Sequence, residues 1–324
     1  MLKQHVAQGT HRQAYLFTGP ESVGRSTIAL RFAQAINCPQ PIELGEPCLE
    51  CPTYSQLERY VHPDLAIIEA DHRGGQLKVD QIRALQHGLA LAPYDAQYRI
   101  AILQRFEEAN RQAANALLKT LEEPPRQVVI ILTAVSTDRL LPTIVSRCEV
   151  IRLRPVPAAV LIQGLSNKWQ VDGDEAELLT HLSGGRPGYA FRLFQYPEEM
   201  SNRKSWLEDQ LNLISSSRVN RFEYVESMAK NPQSVSEILK VWLSFWRDIM
   251  LRTSNSNSQI TNIDYQEKIN ELAQRINYEQ AYRMVVKLEQ VFDNLARNAN
   301  PRLTLEVLML DLPKYHPQSQ TSRE

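Results

Sequence analysis

Short apolar runs alternate with amphipathic stretches along the first half of the chain. The apolar runs predict strands at 15–17, 65–69, 99–103, 128–133 and 149–153. Between these runs, apolar residues recur every three or four positions and predict helices at 25–36, 79–91, 111–122 and 140–145. Such alternation is typical of a parallel sheet flanked by helices, so the fold class expected here is α/β.

Beyond Pro155 and Pro157, every periodic segment predicts a helix. Three short helices are expected at 158–168, 174–182 and 188–194, and longer ones follow, interrupted near 215–217, 231–232, 253–258 and 300–301. The segment 238–251 is apolar nearly all round, which predicts the central helix of a bundle. The expected domains are an α/β domain at 1–156, a small helical domain at 157–197, a larger helical domain at 198–313 and a polar tail at 314–324.

Two N-terminal segments lack a clear period. Residues 1–12 are polar and leave little room for an element before the first strand. The segment 37–62 gathers prolines and three cysteines, which predicts an inserted loop or small module within the α/β domain.

Composition narrows the class of protein. Of 324 residues, 43% are hydrophobic and 23% charged, as in soluble globular proteins, and the formal net charge is −1. Without a global basic field, any contact with DNA is expected through a local patch or through partner proteins. No apolar run has the length of a membrane span, no leading signal segment is visible, and four cysteines do not make a disulfide framework. We therefore expect a cytoplasmic protein with no membrane contact.

A phosphate-binding loop is predicted between the first strand and the first helix. Gly19 and Gly24 bound a turn, and Ser26 and Thr27 open the helix, so the spacing fits G-x-x-x-x-G-K-[ST] except that Arg25 replaces the lysine. Backbone N–H groups of such a loop converge on one anion. An ordinary tight turn is the alternative. Because arginine is larger and planar, the sequence leaves open whether nucleotide is still bound.

The acidic residues of a working ATPase are missing from the neighbouring strand end. An aspartate that holds Mg²⁺ and a glutamate that aligns water should follow Leu103, but Gln104 and Arg105 stand there. Glu107 and Glu108 lie further on and are interpreted as solvated acids rather than substitutes. We expect the chain alone not to hydrolyse ATP.

An arginine is placed where it could act outside its own domain. Arg147 follows a short helix and directly precedes the last strand. A guanidinium supplied in trans stabilises charge that develops on a γ-phosphate. The alternative is a surface arginine paired with a carboxylate such as Glu149.

Three cysteines suggest a metal site with an incomplete ligand set. Cys48 and Cys51 have zinc-knuckle spacing and Cys38 precedes them, but Tyr54 stands where a fourth thiolate is expected. His62 or His72 could complete a tetrahedron, and a metal-free loop is the alternative. Cys148 is interpreted as a small buried residue.

Taken together, these motifs resemble the AAA+ clamp-loader ATPase family over nearly the whole chain. The resemblance is carried by A-Y-L-F-T-G-P-E-S-V-G-R (14–25), C-x-x-C with H-P-D (48–51 and 62–64), N-A-L-L-K-T-L-E-E-P-P (115–125) and S-R-C (146–148). It implies an AAA+ domain, a small helical lid at 157–197 and a helical collar at 198–313 that joins subunits into a ring.

By position, the resemblance makes Arg147 an arginine finger for ATP on a neighbouring motor subunit and makes 19–27 the phosphate loop. It also makes Arg186 a candidate nucleotide-sensing residue. The replacements at Arg25, Gln104 and Tyr54 point to a ring subunit that does not hydrolyse ATP.

The function this predicts is to help the ring load a sliding clamp on primed DNA within a replicative DNA polymerase complex. The expected partners are the other subunits of the ring, with the clamp and DNA reached through the assembly and Lys119 among the possible phosphate contacts. Two alternatives remain: an independent phosphate-loop enzyme or ATPase motor, and a scaffold that touches no partner's ATP.

Overall fold

The computed structural model describes residues 1–43, 45–72, 74–254, 256, 258–297 and 299–313, except for the side chains at 232, 233 and 296. The predicted tail at 314–324 lies outside this range. The chain divides into two compact units: the first comprises 1–156 with 186–188, and the second 157–185 with the residues from 189 onward. A further division of the second unit near 197 stays a prediction.

The first unit is built on a five-stranded sheet. Its strands are β1 (Ala14–Thr18), β2 (Leu65–Ile68), β3 (Arg99–Leu103), β4 (Val128–Ala134) and β5 (Glu149–Arg152). They run in the order β2-β3-β4-β1-β5 and every pairing is parallel. Parallel neighbours need crossovers, which helices provide. The predicted α/β class and all five predicted strands are confirmed.

The helices of this unit are α1 (Leu2–Ala7), α2 (Arg25–Asn37), α3 (Pro52–Glu58), α4 (Val79–Leu89), α5 (Arg111–Glu122) and α6 (Pro142–Val145). Short 3₁₀ turns occupy Phe106–Glu108 and Thr137–Arg139. The four predicted helices are present, but the expectation of no element before β1 was wrong, because α1 forms there. The 37–62 segment also contains α3, which starts with Pro52, a residue whose fixed φ suits a first helical turn.

Alternate residues of the strands face two separate hydrophobic cores. One face packs with α4 and α5 and the other with α2. On β4, for example, Ile130 and Leu132 belong to the first core, and Val129 and Ile131 to the second. This two-sided burial explains why β4 has no polar alternation in the sequence.

A buried carboxylate organises the loop before β3. Asp64 accepts hydrogen bonds from the backbone N–H groups of Tyr94, Asp95 and Ala96, at 2.8–3.0 Å, and forms an ion pair with Arg99 at 3.0 Å. Burial alone would raise the pKa of Asp64, but these bonds outweigh it and lower the pKa to about 2. Asp64 of the H-P-D motif therefore has a structural role.

The second unit is entirely helical in its described residues. Its helices are α7 (Ala158–Trp169), α8 (Gly173–Ser183), α9 (Pro187–Gln195, whose first two residues belong to the first unit), α10 (Pro197–Ser215), α11 (Arg218–Ala229), α12 (Pro232–Thr253), α13 (Gln266–Ala273), α14 (Tyr278–Ala296) and α15 (Pro301–Asp311). The predicted interruptions separate them as expected. The side chains of Trp242, Phe245 and Trp246 on α12 are almost completely buried, which confirms the predicted central helix.

One buried arginine joins the ends of three helices in this unit. Arg221 on α11 is 1% exposed and donates to the backbone carbonyls of Leu213, Ile214, Met309, Leu312 and Pro313 at 2.8–3.3 Å. Burial, and next the charge of Arg218, lowers the pKa of Arg221. The last carbonyls of a helix lack intrahelical partners, so this guanidinium supplies donors at the ends of α10 and α15. Of the five carbonyls, that of Leu213 also accepts from the N–H of Ser216 at 3.2 Å.

Candidate functional site

The predicted phosphate loop lies between the end of β1 and the start of α2. Gly19 has φ +151°, and a Cβ there would lie 2.5 Å from the carbonyl oxygen of Leu153, just after β5. Gly24 has φ +102° and precedes α2. At position 19, any residue other than glycine would force the backbone to move away from Leu153. The loop thus has the strand–turn–helix form predicted from the sequence.

Gly188, at the start of α9, contacts this loop. Its N–H donates to the carbonyl oxygen of Ser22 at 2.9 Å, and Ser22 itself has φ +62°. Arg186, the predicted nucleotide-sensing residue, is partly buried two residues before Gly188. Its role in sensing nucleotide stays a prediction.

The side chains at the start of α2 differ in their surroundings. Arg25 is buried, with 9% of its surface exposed, whereas Thr27 is exposed. The Ser26 hydroxyl donates to Oε1 of Gln104 at 3.1 Å. In a working loop this hydroxyl would bind Mg²⁺ next to a carboxylate. Here a neutral amide, which brings no negative charge to a cation, occupies the expected position of that carboxylate.

The remaining polar residues after β3 are bonded to one another. Arg105 pairs with Glu69 and Glu108, each at 3.0 Å, and its backbone is left-handed, with φ +49°. Glu107 accepts from the backbone N–H of Val135 at 3.3 Å. The interpretation of Glu107 and Glu108 as solvated acids was therefore wrong, because both are partly buried and fixed by hydrogen bonds. Among the described contacts, neither reaches the phosphate loop.

Arg147 lies in a groove of about 430 Å³ at the edge of the first unit, lined also by Arg12, Glu122 and Glu149. Its side chain is 32% exposed, so it is accessible to another molecule. It donates through Nε to Glu122 Oε1 at 2.8 Å, through Nη2 to the same oxygen, and through Nη1 to the Thr143 carbonyl at 2.8 Å. The alternative of a surface arginine paired with a carboxylate thus describes this arrangement, but the carboxylate is Glu122. Glu149 lies 3.5 Å from Arg12 instead.

Sequence reasoning missed Glu122 as the partner of Arg147. The two residues are 25 positions apart, and no local spacing rule joins them. The available signal was only their membership of two motifs, the E-E-P-P end of α5 and the S-R-C triplet.

Three cysteine thiols come together in the inserted segment. The Sγ atoms of Cys38, Cys48 and Cys51 all lie within 4.8 Å of one another. Backbone N–H groups of Cys48, Cys51 and Tyr54 donate to the three sulfurs in turn, each at 3.2 Å. Such bonds stabilise thiolates, so these residues fit three corners of a tetrahedral zinc site.

The fourth corner is not supplied by the predicted histidines. Neither His62 nor His72 belongs to a potential metal-binding group among the described residues. His62 is 2% exposed, and its Nδ1 accepts from the Asp64 N–H at 3.0 Å. Tyr54, at the missing cysteine position, is bonded through its hydroxyl to Arg31 of α2. Zinc binding thus stays a prediction, with three cysteine ligands among the described residues.

The thiols differ in acidity, and we expect this difference to show as reactivity. Hydrogen bonds from the N–H groups of Glu50 and Cys51 lower the pKa of Cys48 to about 7. Burial raises the pKa of Cys51 to about 11 and the pKa of Cys148 to about 12. Because the thiolate is the nucleophile, iodoacetamide should alkylate Cys48 first in chelator-treated protein, at a rate that rises through pH 7 and then levels off. Peptide mass spectrometry measures this, and equal labelling of Cys48 and Cys148 at pH 7 would contradict it.

In the described part of the chain, no helix is long and apolar enough to cross a membrane.

Comparison with known proteins gives a consistent set of relatives. Residues 1–157 match the family described as DNA polymerase III, delta subunit, and residues 197–314 match DNA polymerase III, delta subunit, C terminal. DNA polymerase III subunit delta' of Pseudomonas aeruginosa is 37% identical over 56% of this chain and 56% of its own length. The delta' subunit of Bacillus subtilis is 33% identical over 49% of this chain and 48% of its own length.

A longer match is more distant. DNA polymerase III subunit tau of Bacillus subtilis is 24% identical over 98% of this chain and 60% of its own length. The chain therefore spans about half to three fifths of the length of the curated relatives it matches.

Proposed function

We propose that this chain is a stator-like ring subunit of the delta-prime kind. The premise is that the chain belongs to the DNA polymerase III clamp-loader family. In this role it does not hydrolyse ATP itself. It contributes Arg147 to the ATP site of a neighbouring motor subunit, and so helps the assembled ring place a sliding clamp on primed DNA.

The observation that carries this proposal is a difference between the phosphate loop and the Arg147 groove in which charged groups each retains. At the phosphate loop, Ser26 is bonded to the neutral Gln104, and Arg25 is buried. A working site needs one carboxylate to hold Mg²⁺ and one to align the attacking water. Here Gln104 and Arg105 stand in their places, and Arg105 is paired with two glutamates. At the other site, Arg147 lies in an open polar groove. The chain thus keeps the group that acts in trans and lacks the groups that act in cis.

An arginine in such a groove supports catalysis through charge. As the γ-phosphoryl group leaves, negative charge accumulates on its oxygens, and a planar guanidinium can donate two parallel hydrogen bonds to them. Its effect is greatest where the joining of two subunits excludes water, because electrostatic interactions are then less screened.

The proposed partners follow from this role. They are the ATPase motor subunits and the delta subunit of the ring, with the clamp and primed DNA reached through the assembly in the cytoplasm. Lys119 is exposed on α5 and is a candidate for a phosphate contact, although an ordinary solvated helix face accounts for it equally well. With a net charge of −1, the chain alone should bind DNA weakly.

Reconstitution with the motor subunits tests the proposal against a pure scaffold. The Arg147→Ala variant should assemble normally but reduce ATP turnover of the complex. Normal assembly with unchanged turnover would favour the scaffold.

A further inference from the structure

The groove around Arg147 contains two pairs of opposite charge. Arg147 is paired with Glu122, and Arg12 with Glu149 at 3.5 Å. Each guanidinium is thus neutralised within its own chain. A phosphate group entering the groove must therefore compete with a carboxylate that is already bound to Arg147.

Arg147 already donates through all three of its nitrogens. Glu122 accepts from Nε and Nη2, the Thr143 carbonyl accepts from Nη1 at 2.8 Å, and the Ser146 hydroxyl lies 3.4 Å from Nη1. Among these acceptors only Glu122 carries a charge. It is consequently the partner that a negatively charged phosphate would replace most directly.

The position of Glu122 is unfavourable for its own helix. It is the last residue of α5, where the negative end of the helix dipole repels a carboxylate. Its side chain is 50% exposed, so the ion pair with Arg147 is partly solvated. Pairs of this kind contribute little to stability and can exchange partners readily.

We propose that Glu122 is a counter-ion that holds Arg147 while the groove is empty and releases it to the phosphates of a neighbouring subunit's ATP. This rests on the proposed function of Arg147. Glu122 is then a positioning residue that sets how much ATP the neighbouring site requires, because the nucleotide must displace a carboxylate before the guanidinium can engage.

The test is the Glu122→Gln variant in the reconstituted complex with its motor subunits. Glutamine keeps the size of the side chain and removes the charge. The ATP concentration for half-maximal turnover should fall about two- to fivefold, as expected for a partly exposed ion pair, and the maximal rate should not fall. Size-exclusion chromatography and thermal unfolding would check assembly and folding.

Glu149→Gln is the matched control. It removes the same charge from the same groove, but Glu149 is paired with Arg12 and makes no described contact with Arg147. Its shift should be smaller than that of Glu122→Gln. In an Arg147→Ala background, the Glu122→Gln shift should disappear, since a double-mutant cycle isolates the coupling between the two residues.

The outcomes separate the two proposals. If Arg147→Ala leaves turnover unchanged, the function proposed for Arg147 fails. If Arg147→Ala slows turnover but Glu122→Gln gives no shift, or the same shift as Glu149→Gln, only the counter-ion role fails. A fall in the maximal rate with Glu122→Gln would also overturn it, because Glu122 would then hold Arg147 in its active position.

Discussion

Replacing Arg147 with alanine is expected to slow ATP hydrolysis at the motor site it faces by about 10³-fold. The side chain is 32% exposed, so its loss should leave the fold of this chain intact. What is lost is charge stabilisation of the transition state, so the maximal rate should fall more than the affinity for ATP. Single-turnover hydrolysis in the reconstituted complex is the measurement to use, because the rate at the affected site can then be resolved. Steady turnover would average over several sites.

Two further variants show whether the effect is specific to the Arg147 side chain. Arg147→Lys keeps the positive charge but loses the planar fork, so it should recover only part of the rate. Arg12→Ala removes a cation from the same groove, and because Arg12 is 73% exposed and pairs with Glu149, we expect a much smaller effect. Equal losses in Arg12→Ala and Arg147→Ala would indicate a general effect of positive charge and would contradict a specific role for Arg147.

The second large effect is expected for stability. Arg221→Met should lower the free energy of unfolding of the helical unit by about 3–5 kcal/mol, because several buried carbonyls lose a donor and each unsatisfied buried group costs about 1–3 kcal/mol. Methionine fills much of the space but donates no hydrogen bonds. Five carbonyls would then lose the guanidinium as a donor, and of these the carbonyl of Leu213 would keep the N–H of Ser216.

Urea unfolding followed by far-ultraviolet circular dichroism measures this loss. The control is Arg218→Met, which removes the same charge from the exposed start of the same helix and should change stability by less than about 0.5 kcal/mol. A similar small change for Arg221→Met would mean that water replaces the guanidinium at the helix ends.

The three inner strands β1, β3 and β4 were predictable because burial on both faces leaves a direct mark in the sequence. β4, a run of seven residues, is the longest, whereas the edge strand β5 has the sequence E-V-I-R and is only partly buried. The first helix, α1, left only a weak mark: it has six residues, and the two that pack against the core, Leu2 and Val6, are only partly buried. The helix α3 was missed since only Leu57 is buried and the surrounding prolines and cysteines suggested a loop.

Parts of the site were predictable from position alone. A residue at the carboxyl end of β3 should face the phosphate loop beside the adjacent strands, and Gln104 does so through Ser26. Side-chain partners across the fold were not predictable. Arg147 has Glu149 nearby in sequence, yet it bonds to Glu122, because the end of α5 packs beside S-R-C in three dimensions.

ATP hydrolysis by three samples in one assay tests the division of labour most directly: this chain alone, its motor subunits alone, and the assembled complex. We expect no turnover by the chain, slow turnover by the motors, and fast turnover by the complex that depends on Arg147. Steady turnover by the purified chain, lost on substituting Arg25 or Glu107, would contradict the account.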